Sequence, residues 1–415
     1  MIKRFIVIVA ILTTALAAAQ ENISSPYSYY GIGLTKFKGT IENRSMGGIS
    51  VFSDSIHLNL SNPAGYGRLR RTTYSIAGSH EQSSLTSDMG SDKAKITSLD
   101  YLALGIPVGK FGFGFGLIPQ TSVGYRILDI QEDVASRLQG RGGLNRVYLS
   151  GGYEINKNFS IGIDARYNFG NFQNRRTLVR DQIQLGSRDI SRSDLKGLSF
   201  NFGADFQTMI SDRLKLHASA TYSPETSLTS ENKREVATIA FTQNGEIPVE
   251  VRDLEVPDSE YSLAEQITIG AGLGRPNKWF FGGEYIKTGR NAYLDRSNTF
   301  NEAAVYNEAA QYKLGGYYIP QYNSLTSYFK RVVIRGGFRY EETGLSLNNE
   351  DINEFGITFG LGLPVGPGFS NINLGFEYGQ RGTTDSGLVK EDIFKVSVGF
   401  SLTEARKWFE RRKFD

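Results

Sequence analysis

The chain has 415 residues, 46 Lys and Arg against 43 Asp and Glu, a formal charge of +3 and no cysteine. The near-neutral balance, with both signs interspersed, argues against nucleic-acid binding, and the missing cysteines exclude disulfides and thiolate metal sites. Forty-seven glycines, 22 tyrosines and 26 phenylalanines against 11 prolines suit a transmembrane β-barrel, whose strands alternate apolar and polar residues, although a secreted soluble β-protein would share part of that composition.

In chain order, Lys3 and Arg4 precede an apolar run from Phe5 to about Leu16, and Ala17–Ala19 follows. The pattern predicts a signal peptide over 1–19, because the run is shorter than the roughly 20 residues a spanning helix needs. No cysteine follows it, so no thiol-linked lipid anchor is expected. Residues 20–65 show no long period but hold aromatics among Ser, Gly and Asn. This predicts an ordered, irregular plug or hatch inside a barrel, with a periplasmic extension as the alternative. Gly47-Gly48 permits backbone that side chains would forbid, and Asn62, Pro63 and Gly65 punctuate the chain before the strands begin.

The stretch Arg44–Gly65, RSMGGISVFSDSIHLNLSNPAG, resembles the N-terminal part of the FadL-type outer-membrane transport family. There an R-x-x-G-G segment leads through an Asp to N-P-A-G, matched here by Arg44, Gly47, Gly48, Asp54, Asn62, Pro63, Ala64 and Gly65. The preceding Ser25–Gly33, SPYSYYGIG, resembles the start of barrels of this kind from the Bacteroidetes group. The resemblance implies a hatch junction at those eight residues and passive uptake of small hydrophobic compounds. The implied ligand enters from outside, rearranges the hatch and leaves through a gap in the barrel wall into the membrane.

From Tyr66 to Leu402 a dyad repeat predicts a transmembrane antiparallel barrel. Phe159, Ile161, Ile163 and Ala165 alternate with Ser160, Gly162, Asp164 and Arg166, and Phe394, Val396, Val398 and Phe400 with Lys395, Ser397 and Gly399. One face is apolar over the roughly 9–11 residues a tilted strand needs to cross a bilayer; the other is polar, Gly-rich or charged. Short turns at Pro107–Phe111, Asn156–Asn158, Ser211–Arg213, Gly274–Lys278 and Pro364–Gly368 alternate with polar segments read as long loops at 127–143, 171–194, 223–261, 288–311 and 344–351. That asymmetry is the periplasmic and extracellular pattern of an outer-membrane barrel. Fifteen candidate strands emerge, the weakest at 228–243 and 311–320; closure of a bacterial barrel asks for an even number. The expectation is fourteen, as the family resemblance also implies. A basic, amphipathic tail over 403–415 follows, either docked near the inner rim or frayed.

The repeat Phe111–Gly116, FGFGFG, lacks the following helix of a phosphate loop; inward glycines instead predict close approach by the plug. Only His57, His80 and His217 are present, with no metal or triad spacing, so no cofactor and no enzyme is expected. His217 beside Lys215 and Ser219 is the one place a serine–histidine pair could arise. Arg331, Arg335 and Arg339, with Glu377, are expected to face the lumen. Such charges either guide an anionic solute or pair with one another and the plug; pairing is favoured, since buried charges need partners. A polar lumen sits awkwardly with an apolar-compound route. The rival to transport is therefore a non-transporting barrel subunit of a larger outer-membrane assembly or secretion complex. Expected partners are membrane lipids, a hydrophobic small molecule and outer-membrane proteins, with no nucleic acid.

Overall fold

The computed structural model describes residues 25–243, 245–290, 304–366 and 370–404. The expected signal segment over 1–19 and the basic tail beyond Glu404 lie outside them. Fourteen antiparallel strands close into one barrel. They are β1 (Thr73–Ser87), β2 (Gly90–Val108), β3 (Phe111–Pro119 continuing as Thr121–Gln131) and β4 (Val134–Glu154). Next come β5 (Phe159–Arg180), β6 (Leu185–Ser211), β7 (Leu214–Ser223 continuing as Thr226–Thr242) and β8 (Gly245–Leu254, Ser259–Leu263 and Gln266–Arg275). The ring ends with β9 (Trp279–Thr288), β10 (Ala304–Tyr306 and Ala309–Tyr318), β11 (Val333–Leu347), β12 (Glu350–Val365), β13 (Ser370–Arg381) and β14 (Lys390–Thr403). Pairing of β1 with β14, from Thr73–Thr403 to Thr86–Lys390, closes it.

The period of two does what the sequence requires of it. Phe111, Phe113 and Phe115 are exposed outward while Gly112, Gly114 and Gly116 face in, and Ile334 and Phe338 point out while Arg335 and Arg339 are buried. An outward apolar belt over an inward polar face is stable only in lipid around a filled lumen. The count resolves to fourteen because the segment expected at 228–243 continues the strand over 213–223, with Pro224-Glu225 as an interruption. The segment expected at 311–320 is a true wall strand, paired on both sides.

Several segments read as long loops are strands instead. Residues 127–143 form a hairpin with Ile127 opposite Leu138, 171–194 continue the β5–β6 ladder from Asn171–Asp194 to Leu178–Ser187, and 223–261 hold the β7–β8 hairpin. The turn expected over 344–351 shrinks to Asn348-Asn349, both at positive φ (51° and 65°), the backbone a two-residue hairpin turn demands. β6, with 27 residues, is about 90 Å long at ~3.3 Å per residue, far more than a bilayer needs. Above the membrane neither face meets lipid, so the alternation fades while the ladder continues. Residues 291–303 of the segment expected as a loop at 288–311 lie outside the described residues.

The wall has one irregularity. β2 pairs with β3 only where Leu102–Val108 meets Phe111–Leu117. Pro119 has no N–H to offer a neighbour, as befits a strand edge, and beyond Gln120 β3 pairs with β4 on one side. On the other side Thr121 and Ser122 pair with Thr35 and Leu34 of the N-terminal segment. Ser25 N donates to Gly124 O at 3.0 Å and Lys36 N to Gln120 O at 2.9 Å. The chain's own N-terminal segment therefore covers the edge that β3 leaves open.

Candidate functional site: the plug, its charge lock and the cavity beneath it

Residues 39–72 wind around the inside of the barrel in the direction opposite to strand order. Gly39 (φ +101°) leads into a one-turn helix, α1 (Ile41–Arg44), capped by Thr40, whose hydroxyl accepts from Asn43 N. Glu42 Oε1 accepts from Asn373 Nδ2 of β13 at 2.8 Å, and Arg44 Nη1 donates to Asp100 Oδ2 of β2 at 3.0 Å and Ser397 Oγ of β14 at 3.2 Å. Gly47 N donates to Thr358 Oγ1 of β12 at 2.9 Å. Ser50 N and Oγ donate to Glu284 Oε2 of β9, and Phe52 packs on His217 of β7. Asn62 Nδ2 donates to Ala204 O of β6 at 3.0 Å, while Ser160 of β5 donates to Ala64 O.

Glycines on the inner wall make this fit possible. A Cβ on Gly315 of β10 would stand 2.1 Å from Met46 O, on Gly337 of β11 2.1 Å from Gly47 N, and on Gly162 of β5 2.4 Å from Pro63 C. On Gly112 of β3 it would stand 1.8 Å from Tyr66 O, on Gly152 of β4 2.4 Å from Gly67 N, and on Gly270 of β8 2.9 Å from Val51 Cβ. With Thr73 of β1 donating to Ile56 O, all fourteen strands touch the segment. Of the inward glycines of FGFGFG, Gly112 and Gly114 pack against Tyr66 of the plug, whereas Gly116 backs onto Leu102 and Tyr148 of the wall.

The eight junction residues serve different ends of this path. Gly47 and Gly48 hold φ of +70° and +84°. Asn62 caps a 3-10 helix, Pro63–Arg68, by accepting from Ala64 N at 3.0 Å, with Pro63 at its first position. Tyr66 lies within that helix, so the first strand begins at Thr73 rather than at Tyr66, where the dyad repeat predicts its start. Gly65 backs onto Asn59. Asp54 accepts from Ile56 N, His57 N and His57 Nδ1, the last at 2.6 Å. Burial alone would raise the Asp54 carboxyl, but the His57 ring and the backbone donors hold it below its ordinary range. Burial likewise opposes the His57 charge, and Asp54 overrides it, so the imidazole sits above its ordinary value.

Most of the inward charges around β12 and β13 are paired. Glu354 of β12 accepts from Arg339 Nη2 at 2.5 Å and from Arg381 Nε at 2.9 Å, and Lys38 of the plug donates to it as well. Arg339 also meets Glu377 at 2.5 Å, and Arg381 meets Glu391 at 3.0 Å. Ser25 donates to Glu391, tying the start of the described chain to the same cluster. Arg68 Nε reaches Asp205 Oδ1 at 2.8 Å. Alternation alone placed Arg339 and Glu377 on the inner face. Glu354 and Lys38, which join the cluster to the plug, carried no signal in the sequence beyond their charge.

Arg331 and Arg335 behave differently. Arg331 lies in a 3-10 turn before β11 rather than on its inner face, because the strand starts only at Val333. Both line a cavity of about 870 Å³ with Asp54, His57, Tyr317 and Trp279. Lys157 and Asn277, in short turns, also line it, so it opens at the short-turn end of the barrel. His217 is flanked there by Phe52 and Phe280, ring centroids 5.3 Å away in each case. Its Nδ1 has no hydrogen-bond partner, so no serine is joined to it through that nitrogen. Among the described residues no group of three His, Asp or Glu could hold a metal ion.

The profile of the protein family described as BamG matches residues 1–415, the whole chain. The chain belongs to the BamG family. Its fold is that of the FadL-type barrels. The toluene transporter TodX of Pseudomonas putida is 15% identical with a TM-score of 0.59, over 88% of this BamG-family chain and 99% of that one. The toluene transporter TbuX of Ralstonia pickettii is 14% identical with a TM-score of 0.55, over 88% and 98%. A FadL homologue of Pseudomonas aeruginosa is 13% identical with a TM-score of 0.52, over 90% and 98%. No curated protein matches the chain.

Proposed function

We propose that this chain is a sealed barrel in a Gram-negative outer membrane, reached by Sec-type export, that serves as a subunit of a larger outer-membrane assembly. The observation that carries the reading is the plug, which touches all fourteen strands and is tied to the wall through Lys38–Glu354, Arg44–Asp100 and Arg68–Asp205. An apolar solute crossing such a lumen would have to part buried ion pairs, and stranding one partner of each costs about 3–5 kcal/mol. The family name, BamG, is in keeping with a link to an assembly. The hairpins above the membrane offer partner proteins a surface, and lipids cover the outward belt. The test is gentle detergent purification of the tagged full chain, with quantitative mass spectrometry of proteins and lipophilic molecules. Stoichiometric outer-membrane partners around an empty barrel are expected; a bound apolar ligand without a stoichiometric partner overturns the reading.

A second reading, passive uptake of small hydrophobic compounds, is favoured by one observation. Where β3 leaves β2, the plug's Tyr29 and Ile32 pack into a buried apolar cluster with Val123, Tyr125, Leu144 and Phe172. Under this reading those two side chains occupy the place of a ligand, Arg44 to Gly65 act as the hatch junction, and the β2–β3 edge is the exit. It takes its substrate class from the named transporters of the same fold. Hydrophobic-compound uptake by the Asn62→Ala, Pro63→Ala double variant separates the two: a changed rate supports transport, an unchanged rate the sealed subunit.

A further inference from the structure

The cavity at the short-turn end is unbalanced in charge: eight Arg and Lys side chains line it against three acids, Glu42, Asp54 and Glu154. Arg335 is 4% exposed, yet among the described residues no carboxylate lies within the 4.0 Å of an ion pair. Its Nη1 donates to Asn373 Oδ1 at 3.0 Å, and that amide in turn donates to Glu42. Of the neighbouring acids, Asp54 is held by His57, and Glu42 reaches Arg335 only through Asn373, its Oε2 buried in the same lining without a hydrogen-bond partner. Four residues further on, at the next inward-facing guanidinium, Arg339 meets two glutamates. A buried guanidinium is retained in a fold when something pairs with it. Two nitrogen atoms in the same lining are also buried without partners: Nδ1 of His217, itself 4% exposed, and Nε of Arg331.

Beside these donors stands an aromatic wall. Phe52 lies 5.0 Å from Phe280 and 5.1 Å from Tyr317, centroid to centroid, and Trp279 lines the rim. An excess of cationic side chains on one side and aromatic faces on the other suit a small carboxylate whose body is aromatic or apolar. A bare inorganic anion would leave the aromatic wall unused.

We infer that this cavity binds a carboxylate attached to an aromatic or apolar group, its oxygens on Arg335 and Arg331 and its body against Phe52, Tyr317 and Trp279. The guanidinium of Arg335 presents a planar fork to both carboxylate oxygens. The ligand reaches it from the periplasmic end, either as a free acid or as the C-terminus of a polypeptide ending in an aromatic residue. The site stands apart from both the assembly and the uptake readings: it is below the plug and needs neither a partner nor an open lumen.

The chain has two tryptophans, so in a Trp408→Phe background Trp279 reports alone. The full-length protein in detergent is titrated with 3-phenylpropionate, its amide, and the peptide Ala-Ala-Phe as free acid and as amide. Saturable change in Trp279 emission with an acid and not with its amide is expected, weakened at least tenfold by Arg335→Gln and several-fold by Arg331→Gln. Arg331 lies outside the strands, so its variant tests the site even if Arg335→Gln disturbs folding. Response to both acids assigns the site to free carboxylates, and response to the peptide acid alone assigns it to polypeptide ends. No saturable response to either acid, or equal response to acid and amide, overturns the inference.

Discussion

Replacing Gly337 by alanine, with Gly336→Ala as its control, tests whether backbone contact between plug and wall holds the lumen closed. The two glycines are adjacent on β11 and face opposite ways. A Cβ on Gly337 would stand 2.1 Å from Gly47 N and 2.2 Å from Met46 C, whereas one on Gly336 meets nothing nearer than Thr358 O at 3.9 Å. The first collision is with backbone at a residue whose φ is already +70°, so no flexible side chain can yield. Overpacking costs about 1–3 kcal/mol, and a clash with fixed backbone belongs at the upper end. Alanine gains back about 0.5–1 kcal/mol of conformational entropy at either position, which leaves Gly336→Ala neutral or slightly stabilising. At about 1.4 kcal/mol per factor of ten, a net loss of ~2–2.5 kcal/mol raises the population of undocked plug roughly 30- to 60-fold. Amide exchange over residues 41–52 in detergent, or protease nicking of the plug in the regime where cleavage follows the open population, reads that factor directly. Equal protection in the two variants would refute the claim that the inward glycines are contact points.

Glu354→Gln leaves Lys38, Arg339 and Arg381 around a neutral amide, a loss of about 3–5 kcal/mol for a broken buried network. It should lower the temperature at which the barrel loses its heat-modifiable gel mobility and expose the Lys38 region to trypsin. The Asp54–His57 pair should make the cavity-side loop of the plug pH-dependent. The His57 contribution, with its folded pKa raised above 6.5, is complete below that value and lost as pH rises through the folded pKa. The Asp54 contribution, with its folded pKa depressed below 3.8, is complete above that value and lost as pH falls through the folded pKa. Amide exchange at 54–57 should therefore be slowest between them, and His57→Gln should flatten the alkaline side. Asn62→Ala removes the cap of the Pro63–Arg68 turn and its bond to Ala204; a destabilisation of about 1 kcal/mol should speed exchange at Ala64 several-fold, while Ser61→Ala should not.

Strand identity and facing were legible because they are local: a side chain two residues on returns to the same face whatever the rest of the chain does. That is why Phe113 and Phe115 could be set outward and Arg339, Asp164 and Asp205 inward from the sequence alone, and why FGFGFG could be matched to the plug. The membrane supplies this signal, so it fails above the membrane. There the β5–β6 hairpin carries mainly polar residues on both faces, the pattern of a loop. Arg331 shows the same limit at the other end, where alternation was carried two residues past the start of the strand.

The sequence by itself determined an antiparallel barrel with an apolar outer and a polar inner face. Only the tertiary structure decided which charges meet. Glu354 is joined to Lys38 across 316 positions, and Arg44 to Asp100 across 56, separations at which no periodicity carries information. It also decided that Arg335 stands without a carboxylate while Arg339, four residues on, has two. The reason is physical: facing is set by the backbone of one strand, whereas pairing is set by the path of the plug around all fourteen.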